Sequence, residues 1–333
     1  MPDEPLHTRD EADFERLTGR HRRELLVHCY RMLGSFEDAE DILQETFLRA
    51  WRGLDTLQQQ AAVRAWLYRI ATNACLDAIA ARRSRGLPHL SLPPGDPADA
   101  LPGLEAESLW IGPAPDALLD LRPSANPEIH YAARESVSLA FLAVLQALPG
   151  RQRAILILRD ALGFSAAEVS ELLGTSSAAV HSALLRARAT MQAARVSRSA
   201  TQVDTEREAD LLARFVEAWH AADAAGLVAL LRDDAVLTMP PMPLWYRGRA
   251  ASRAFFESRL FSGDARGHFR LVPTRANGCP AFGTYQRDEA RSYRPAALQV
   301  LTIEDEQISE LHDFLVLGDD RLFRLFDLPP VLP

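Results

Sequence analysis

The stretch "GFSAAEVSELLGTSSAAVHSALLRARATM", Gly163–Met191, decides how the chain is read. Ser165 and Glu168 have the S-x-x-E spacing of a capping box, which starts a short helix running to Leu173. Gly174 suits the left-handed residue that ends it. Thr175 or Ser176 then caps a second helix, and two short helices joined by so tight a turn are a helix-turn-helix. In such motifs the first turns of the second helix enter the major groove, and small residues there permit close approach. Ser176, Ser177, His181 and Ser182 are placed to reach base edges or phosphates. Arg186 and Arg188, with Arg151 and Arg153 upstream, are placed to hold phosphates. The plainer alternative is a helical hairpin with a solvated basic face.

Charge supports the first reading. The whole chain has 333 residues and a net charge of −8, but residues 131–200 carry 8 arginines against 4 acidic residues. Residues 87–130, by contrast, carry 1 arginine and 7 acidic residues. All 37 basic residues are arginine, which codon bias explains without a functional cause.

N-terminal to the linker, residues 10–86 have helical periodicity. Gly34 ends one helix and Ser35 caps the next, "FEDAEDILQETFLRAWRGL", which turns Ala39, Ile42, Leu43, Phe47 and Ala50 inward and Asp38, Asp41 and Glu45 outward. A third helix, "AAVRAWLYRIATNACLDAIAARRSR", mixes Arg64, Arg69, Arg82, Arg83 and Arg85 with Trp66 and Tyr68. Cations and aromatics together suit single-stranded bases through backbone attraction and stacking. The competing reading puts Trp66 in the core. Residues 87–130 are rich in Pro, Gly and Asp and form a linker mostly without regular structure, although Trp110–Pro115 is apolar enough to need a docking place. A helix from about Tyr131 to Leu148 opens the helix-turn-helix domain, residues 131–196.

From residue 205 to 330 the pattern changes. Helices at 205–221, 224–232 and 249–261 are followed by strands near 267–276, 280–287, 295–304 and 307–316, with "AVLTMP" as a further extended stretch. "LTIEDEQISELHDFL" is a hairpin turning at Asp305 and Glu306. Helices followed by antiparallel strands predict an α+β curved sheet. The chain is therefore multidomain: two all-α domains and a C-terminal α+β cone. Cys29, Cys75 and Cys279 are far apart in sequence and odd in number, which fits a reducing cytoplasm and neither a disulfide framework nor a zinc site. No apolar run approaches the roughly 20 residues that span a bilayer.

Taken in order, "DAEDILQETFLRAWRGL", "RAWLYRIATNACLDAIAARRSR" and "LPGRQRAILILRDALGFSAAEVSELLGTSSAAVHSALLRARATM" resemble the sigma-70 family of RNA polymerase initiation factors, in its extracytoplasmic-function form. "ESLWIGPAPDALLD" is similar to the linker of the subgroup carrying an extra C-terminal domain. The resemblance implies core RNA polymerase and promoter DNA as partners. It implies that Asp38, Asp41, Leu43, Gln44, Glu45 and Phe47 dock on the clamp of the polymerase's largest subunit. It places Arg64, Trp66, Arg69, Asn73, Asp77, Arg82 and Arg83 on the minus-ten helix, with a base-capturing loop at Asp55–Ala62 before it. It gives the minus-thirty-five element to Ser176, Ser177, His181, Ser182, Arg186 and Arg188.

Residues 205–330 resemble the SnoaL-like domains of the ketosteroid-isomerase cone fold, through "FVEAWHAADAAGLVALLRDDAVLTMPP" and "ALQVLTIEDEQISELHDF". That resemblance implies an apolar pocket lined by Trp219, Met239, Trp245, Tyr246, Phe255, Phe282 and one of His312 or Asp313, able to take a small ligand. Met239 occupies the segment where the isomerases carry an acidic base, and a thioether moves no proton. A sigma factor regulated by its tail, without catalysis, cofactor or metal, is the expected function; a cyclase or isomerase carrying a DNA-binding segment is the alternative.

Overall fold

The computed structural model describes residues 11–57, 62–81, 84–119, 121, 134–195, 205–263 and 265–333. The chain divides into two compact units. The first comprises Met1–Ser84, Leu118–Asp120 and Val144–Ala194; the second comprises Arg85–Ala117, Leu121–Ala143 and Arg195–Pro333.

The first unit is helical. Helices α1 (Glu11–Thr18), α2 (Arg22–Leu33), α3 (Phe36–Arg52) and α4 (Val63–Ala80) pack around Leu25, Met32, Leu43, Leu67 and Tyr68. Gly34 takes φ +70, and the Ser35 hydroxyl accepts from the Asp38 amide at 3.2 Å, so the expected stop and cap are both present. After α5 (Pro88–Ser91), which belongs to the second unit as do the first residues of α6 (Leu139–Ala147), the first unit resumes with the rest of α6 and with α7 (Gly150–Leu156), which ends in a π-helical turn at Ile157–Ala161. Within the helix expected from Tyr131 to Leu148, residues 134–135 are helical, residues 136–138 interrupt it, and α6 starts anew at Leu139, where Ser138 caps it by accepting from the Phe141 amide. Helices α8 (Ala166–Leu172) and α9 (Ser177–Arg195) complete the helix-turn-helix. Its capping box is reciprocal: Ser165 N–H donates to Glu168 at 2.7 Å, and Glu168 N–H donates to Ser165 at 3.2 Å. Gly174 takes φ +58, and Ser176 caps α9 by accepting from the Ala179 amide.

The second unit contains α10 (Thr205–Ala221), α11 (Ala224–Ala229), α12 (Gly248–Phe255) and a six-stranded sheet. Its strands are β1 (Leu231–Thr238), β2 (Trp245–Arg247), β3 (Phe269–Ala276), β4 (Cys279–Arg287), β5 (Tyr293–Glu304) and β6 (Gln307–Leu315). They lie in the order β2-β1-β6-β5-β4-β3. The strands expected at 267–316 form the antiparallel run β3-β4-β5-β6, and β1, outside that run, pairs parallel to β6. The helix expected to reach residue 232 stops at Ala229, and the alternating segment from Leu231 enters the sheet instead. Trp219, Phe215, Phe255 and Phe256 join Leu237, Phe282, Leu301 and Leu311 in one core. Burying each such side chain contributes about 1.5–3 kcal/mol.

The linker belongs to this second unit. It has little regular structure, as its composition predicts, yet Leu87, Ile111 and Ala114 are buried. Gly95 N–H donates to Trp245 O at 2.8 Å, Glu105 N–H to Pro241 O at 3.1 Å, and the Trp245 indole N–H to Leu92 O at 2.9 Å. Further along, Ala114 N–H donates to Asn277 Oδ1 at 2.8 Å, and Gly278 N–H to Asp116 at 2.7 Å.

Candidate nucleic-acid and polymerase interfaces

On α9 the buried face is Val180, Ala183, Leu184, Ala187 and Met191, spaced three or four apart as a helix packed along one side requires. The opposite face presents Ser176, Ser177, His181, Ser182, Arg186 and Arg188, all exposed. His181 Nδ1 lies 2.7 Å from the Ser177 carbonyl, the geometry of an N–H donation along the helix that leaves Nε2 outward. Arg188 is engaged differently from Arg186: its guanidinium forms a bidentate pair with Asp160 at 2.9 and 2.6 Å. Sequence reasoning missed Leu185, which is 74% exposed on this same face. An apolar residue at the solvent side of an amphipathic helix was the available signal.

Arg153 corrects the phosphate reading given to it. It is buried, 2% exposed, and donates to the Met32 carbonyl, to Gln146 Oε1 at 2.5 Å and to the carbonyls of Gln146 and Leu148 at 2.8 and 3.1 Å. Burial pushes its guanidinium down to about 10, against a smaller opposite pull from Cys75. A charge desolvated to that degree is held by carbonyl dipoles and cannot reach a phosphate. Arg151 remains exposed.

On α3, Asp41 and Gln44 are exposed, while Asp38, Glu45 and Phe47 are half-buried. Leu43, at 2% exposure, is a core residue and presents nothing to a partner. Glu45 accepts from Arg49 at 2.7 Å, and Phe47 lies under Arg22 and edge-on to Phe14. Leu48, 52% exposed beside them, was not anticipated.

On α4, Arg69, Asn73 and Asp77 recur every fourth residue and are exposed, forming one stripe. Trp66 is 6% exposed and sits in the core, so its aromatic surface is spent on packing. Arg64 pairs with Glu24 at 3.2 Å and lies over the rings of Tyr68 and Phe164, with 5.0 and 4.8 Å to their centroids. Tyr68 also donates its hydroxyl to Glu24 at 3.2 Å. Burial pushes the Glu24 carboxyl up, but hydrogen bonds from His21 and Arg64 outweigh it and hold the group below its usual range. Arg82, Arg83 and residues 58–61 of the loop expected to capture a base lie outside the described residues. Cys29 and Cys75, distant in sequence, meet here: burial and a hydrogen bond that the Cys75 thiol donates to Cys29 push the Cys75 thiol up.

In the cone, Trp219, Met239, Tyr246, Phe255 and Phe282 share the core. Trp245 and His312 do not join them. Trp245 pairs with Thr238 and His312 with Val300, one residue out of phase with Leu237, Tyr246 and Leu311, so strict alternation turns both to the outer face. There His312 Nδ1 lies 2.8 Å from the Thr238 hydroxyl, and the His89 ring stacks on His312 at 5.8 Å. Asp313, in phase with Leu311, faces the core opposite Gln299. Burial pushes its carboxyl up to about 7, against a smaller downward pull from a Gln299 hydrogen bond.

Three family models match the chain: Sigma-70 region 2 over residues 17–85, Sigma-70 region 4 over 138–191 and a SnoaL-like domain over 212–311. The ECF RNA polymerase sigma factor SigG of Mycobacterium tuberculosis is 42% identical over 99% of this chain and 87% of its own length. SigM of the same organism is 32% identical over 54% of this chain and 76% of its own. The crystal structure of the M. tuberculosis extracytoplasmic function sigma factor SigJ superposes with a TM-score of 0.60 at 24% identity, covering 96% of this chain and 100% of that one.

Proposed function

The chain belongs to the extracytoplasmic-function sigma-70 family and carries a SnoaL-like C-terminal domain, and from that membership we propose how its parts divide the work of initiation. Sigma factors are non-enzymatic proteins of the cytoplasm that bind core RNA polymerase and promoter DNA. In this chain α9 reads the minus-thirty-five element with Ser176, Ser177, His181 and Ser182, and Arg186 and Arg188 hold phosphates. Helix α4 serves the minus-ten element with Arg64, Arg69 and Asn73. Asp38, Asp41, Gln44, Glu45 and Phe47 of α3 dock on the clamp of the largest polymerase subunit.

The cone regulates that activity through the linker it holds. The observation that carries this reading is the path of residues 87–116, which bond to Trp245, Pro241, Asn277 and Gly278. The linker joins the two DNA-binding domains, so whatever holds it limits how they separate. The minus-ten and minus-thirty-five elements lie about 25 base pairs apart, roughly 85 Å at 3.4 Å per pair. A ligand in the cone core shifts activity only by binding one linker state better than the other. Run-off transcription with purified core polymerase, comparing the full chain with residues 1–204, tests the proposal. Equal output at every promoter refutes the regulatory role, and no output from either chain refutes the assignment of the DNA-binding helices.

A further inference from the structure

Within the first unit, the helix read as serving the minus-ten element packs against the helix-turn-helix region, and an aromatic contact stands at their meeting. Phe164, the residue before the capping box, is 4% exposed. Its ring lies 5.3 Å from the Tyr68 ring and 4.8 Å from the Arg64 guanidinium. Arg64 in turn lies 5.0 Å from the Tyr68 centroid, and Glu24 fixes both partners through hydrogen bonds of 3.2 Å. Arg64 and Tyr68 thus form a pre-positioned pair of one cation and one aromatic ring, and the Phe164 ring already turns its face to the guanidinium while meeting Tyr68 edge-on at 69°.

We propose that Phe164 is a nucleobase mimic: in the packed unit it occupies a stacking platform, built from Arg64 and Tyr68 and held by Glu24, that accepts a base of the melted minus-ten strand when the helix-turn-helix moves away. The inference rests on the reading of α4 as the strand-contacting helix. The chemistry fits a single-stranded base for three reasons. Every base has a π face that can lie against the Arg64 guanidinium as the Phe164 ring does, with Tyr68 closing its edge. Glu24 neutralises part of the Arg64 charge, so the platform selects for stacking more than for phosphate. Phe164 cannot remain in place during promoter binding, because helices in contact cannot serve elements roughly 85 Å apart along the duplex. Occupancy by Phe164 and by a base is therefore mutually exclusive, and displacement of one exposes the site for the other.

The test uses the full chain and two fluorescein-labelled probes: a mixed-sequence single-stranded DNA 12-mer and a 12-mer of abasic sites. A stacked base is worth about 1–3 kcal/mol, so Phe164→Ala should bind the base-bearing probe roughly 5-fold to 150-fold more tightly than wild type. It should show no gain on the abasic probe. Adding Tyr68→Ala should abolish the gain. Equal affinity of Phe164→Ala and wild type for the base-bearing probe, with helical circular dichroism retained, overturns the inference. Phe164→Trp covers the case in which the alanine variant fails to fold, since Trp keeps the aromatic packing. With core polymerase and the base-bearing probe bound, its emission, taken as a difference from wild type, should shift to the red; binding without a shift overturns the mimicry. If the wild-type complex with core polymerase does not distinguish base-bearing from abasic DNA, the failure lies with the reading of α4 itself.

Discussion

Replacing Asp313 by asparagine tests whether a carboxyl really faces the cone core. Its ordinary value is 3.8, and burial raises it to about 7 in the folded chain. Between these values the unfolded chain has lost the proton and the folded chain keeps it, so stability falls as pH rises through the window and is fully retained only below it. Three units at about 1.36 kcal/mol each make the whole effect about 4 kcal/mol. Part of the window lies below pH 5, so between pH 5 and pH 8 the wild type should lose about 2.5 kcal/mol from this group. Asp313→Asn loses nothing from it. Urea unfolding of the full chain and the variant at both pH values, followed by tryptophan emission, gives the comparison, because Trp219 and Trp245 report on the cone. Other titrating groups cancel in the difference. A variant-minus-wild-type difference that stays constant within about 1 kcal/mol between the two pH values refutes the placement of a protonated Asp313 in the core.

Arg186→Ala should weaken promoter binding across sequences and lower the salt slope by about one, whereas substitutions at Ser177 or His181 should change which minus-thirty-five sequences are used; filter binding over a salt series and a promoter panel separates them. Reversing Asp41 and Glu45 to arginine should abolish co-purification with core polymerase while circular dichroism stays unchanged, because neither side chain is buried. Removing residues 205–333 should change promoter output several-fold and should raise binding of an apolar dye, since the linker loses the partners that hold Ala114 and Pro115 at Asn277 and Ala276.

Local signals carried a large share of the fold. The capping box at Ser165 and Glu168, the left-handed Gly174 and the turn at Asp305 and Glu306, with φ 49 and 62, are each fixed by residues within a few positions. The stripes on α3 and α9 were legible for the same reason. What stayed illegible depends on residues far away in sequence. The resemblance implied a pocket lined by Trp245 and by one of His312 or Asp313, but the face each takes follows from the registers of β1 with β2 and β5 with β6. Arg153 carries the same charge as Arg151; only the carbonyls of Met32, Gln146 and Leu148 make it a buried residue. The parallel pairing of β1 and β6 likewise has no local signature. The apolar Trp110–Pro115 segment announced a need for burial without naming its destination, which is Ala276 and its neighbours at the β3–β4 turn.

The linker's attachment has a consequence for how such a chain is inherited. Gly95 bonds to the Trp245 backbone, and a Cβ at Gly95 would collide with Leu244. Asn277 serves two distant stretches at once, accepting from Ala114 and donating to Val137. A tail of this kind cannot be traded between chains as a module that starts near residue 205: a recombinant joining this cone to a foreign linker would bring together surfaces shaped for different partners. Positions such as 95 and 244, or 114 and 277, are expected to change in concert across lineages. The unit that these contacts hold together is the cone with the segment threaded through the middle of the chain.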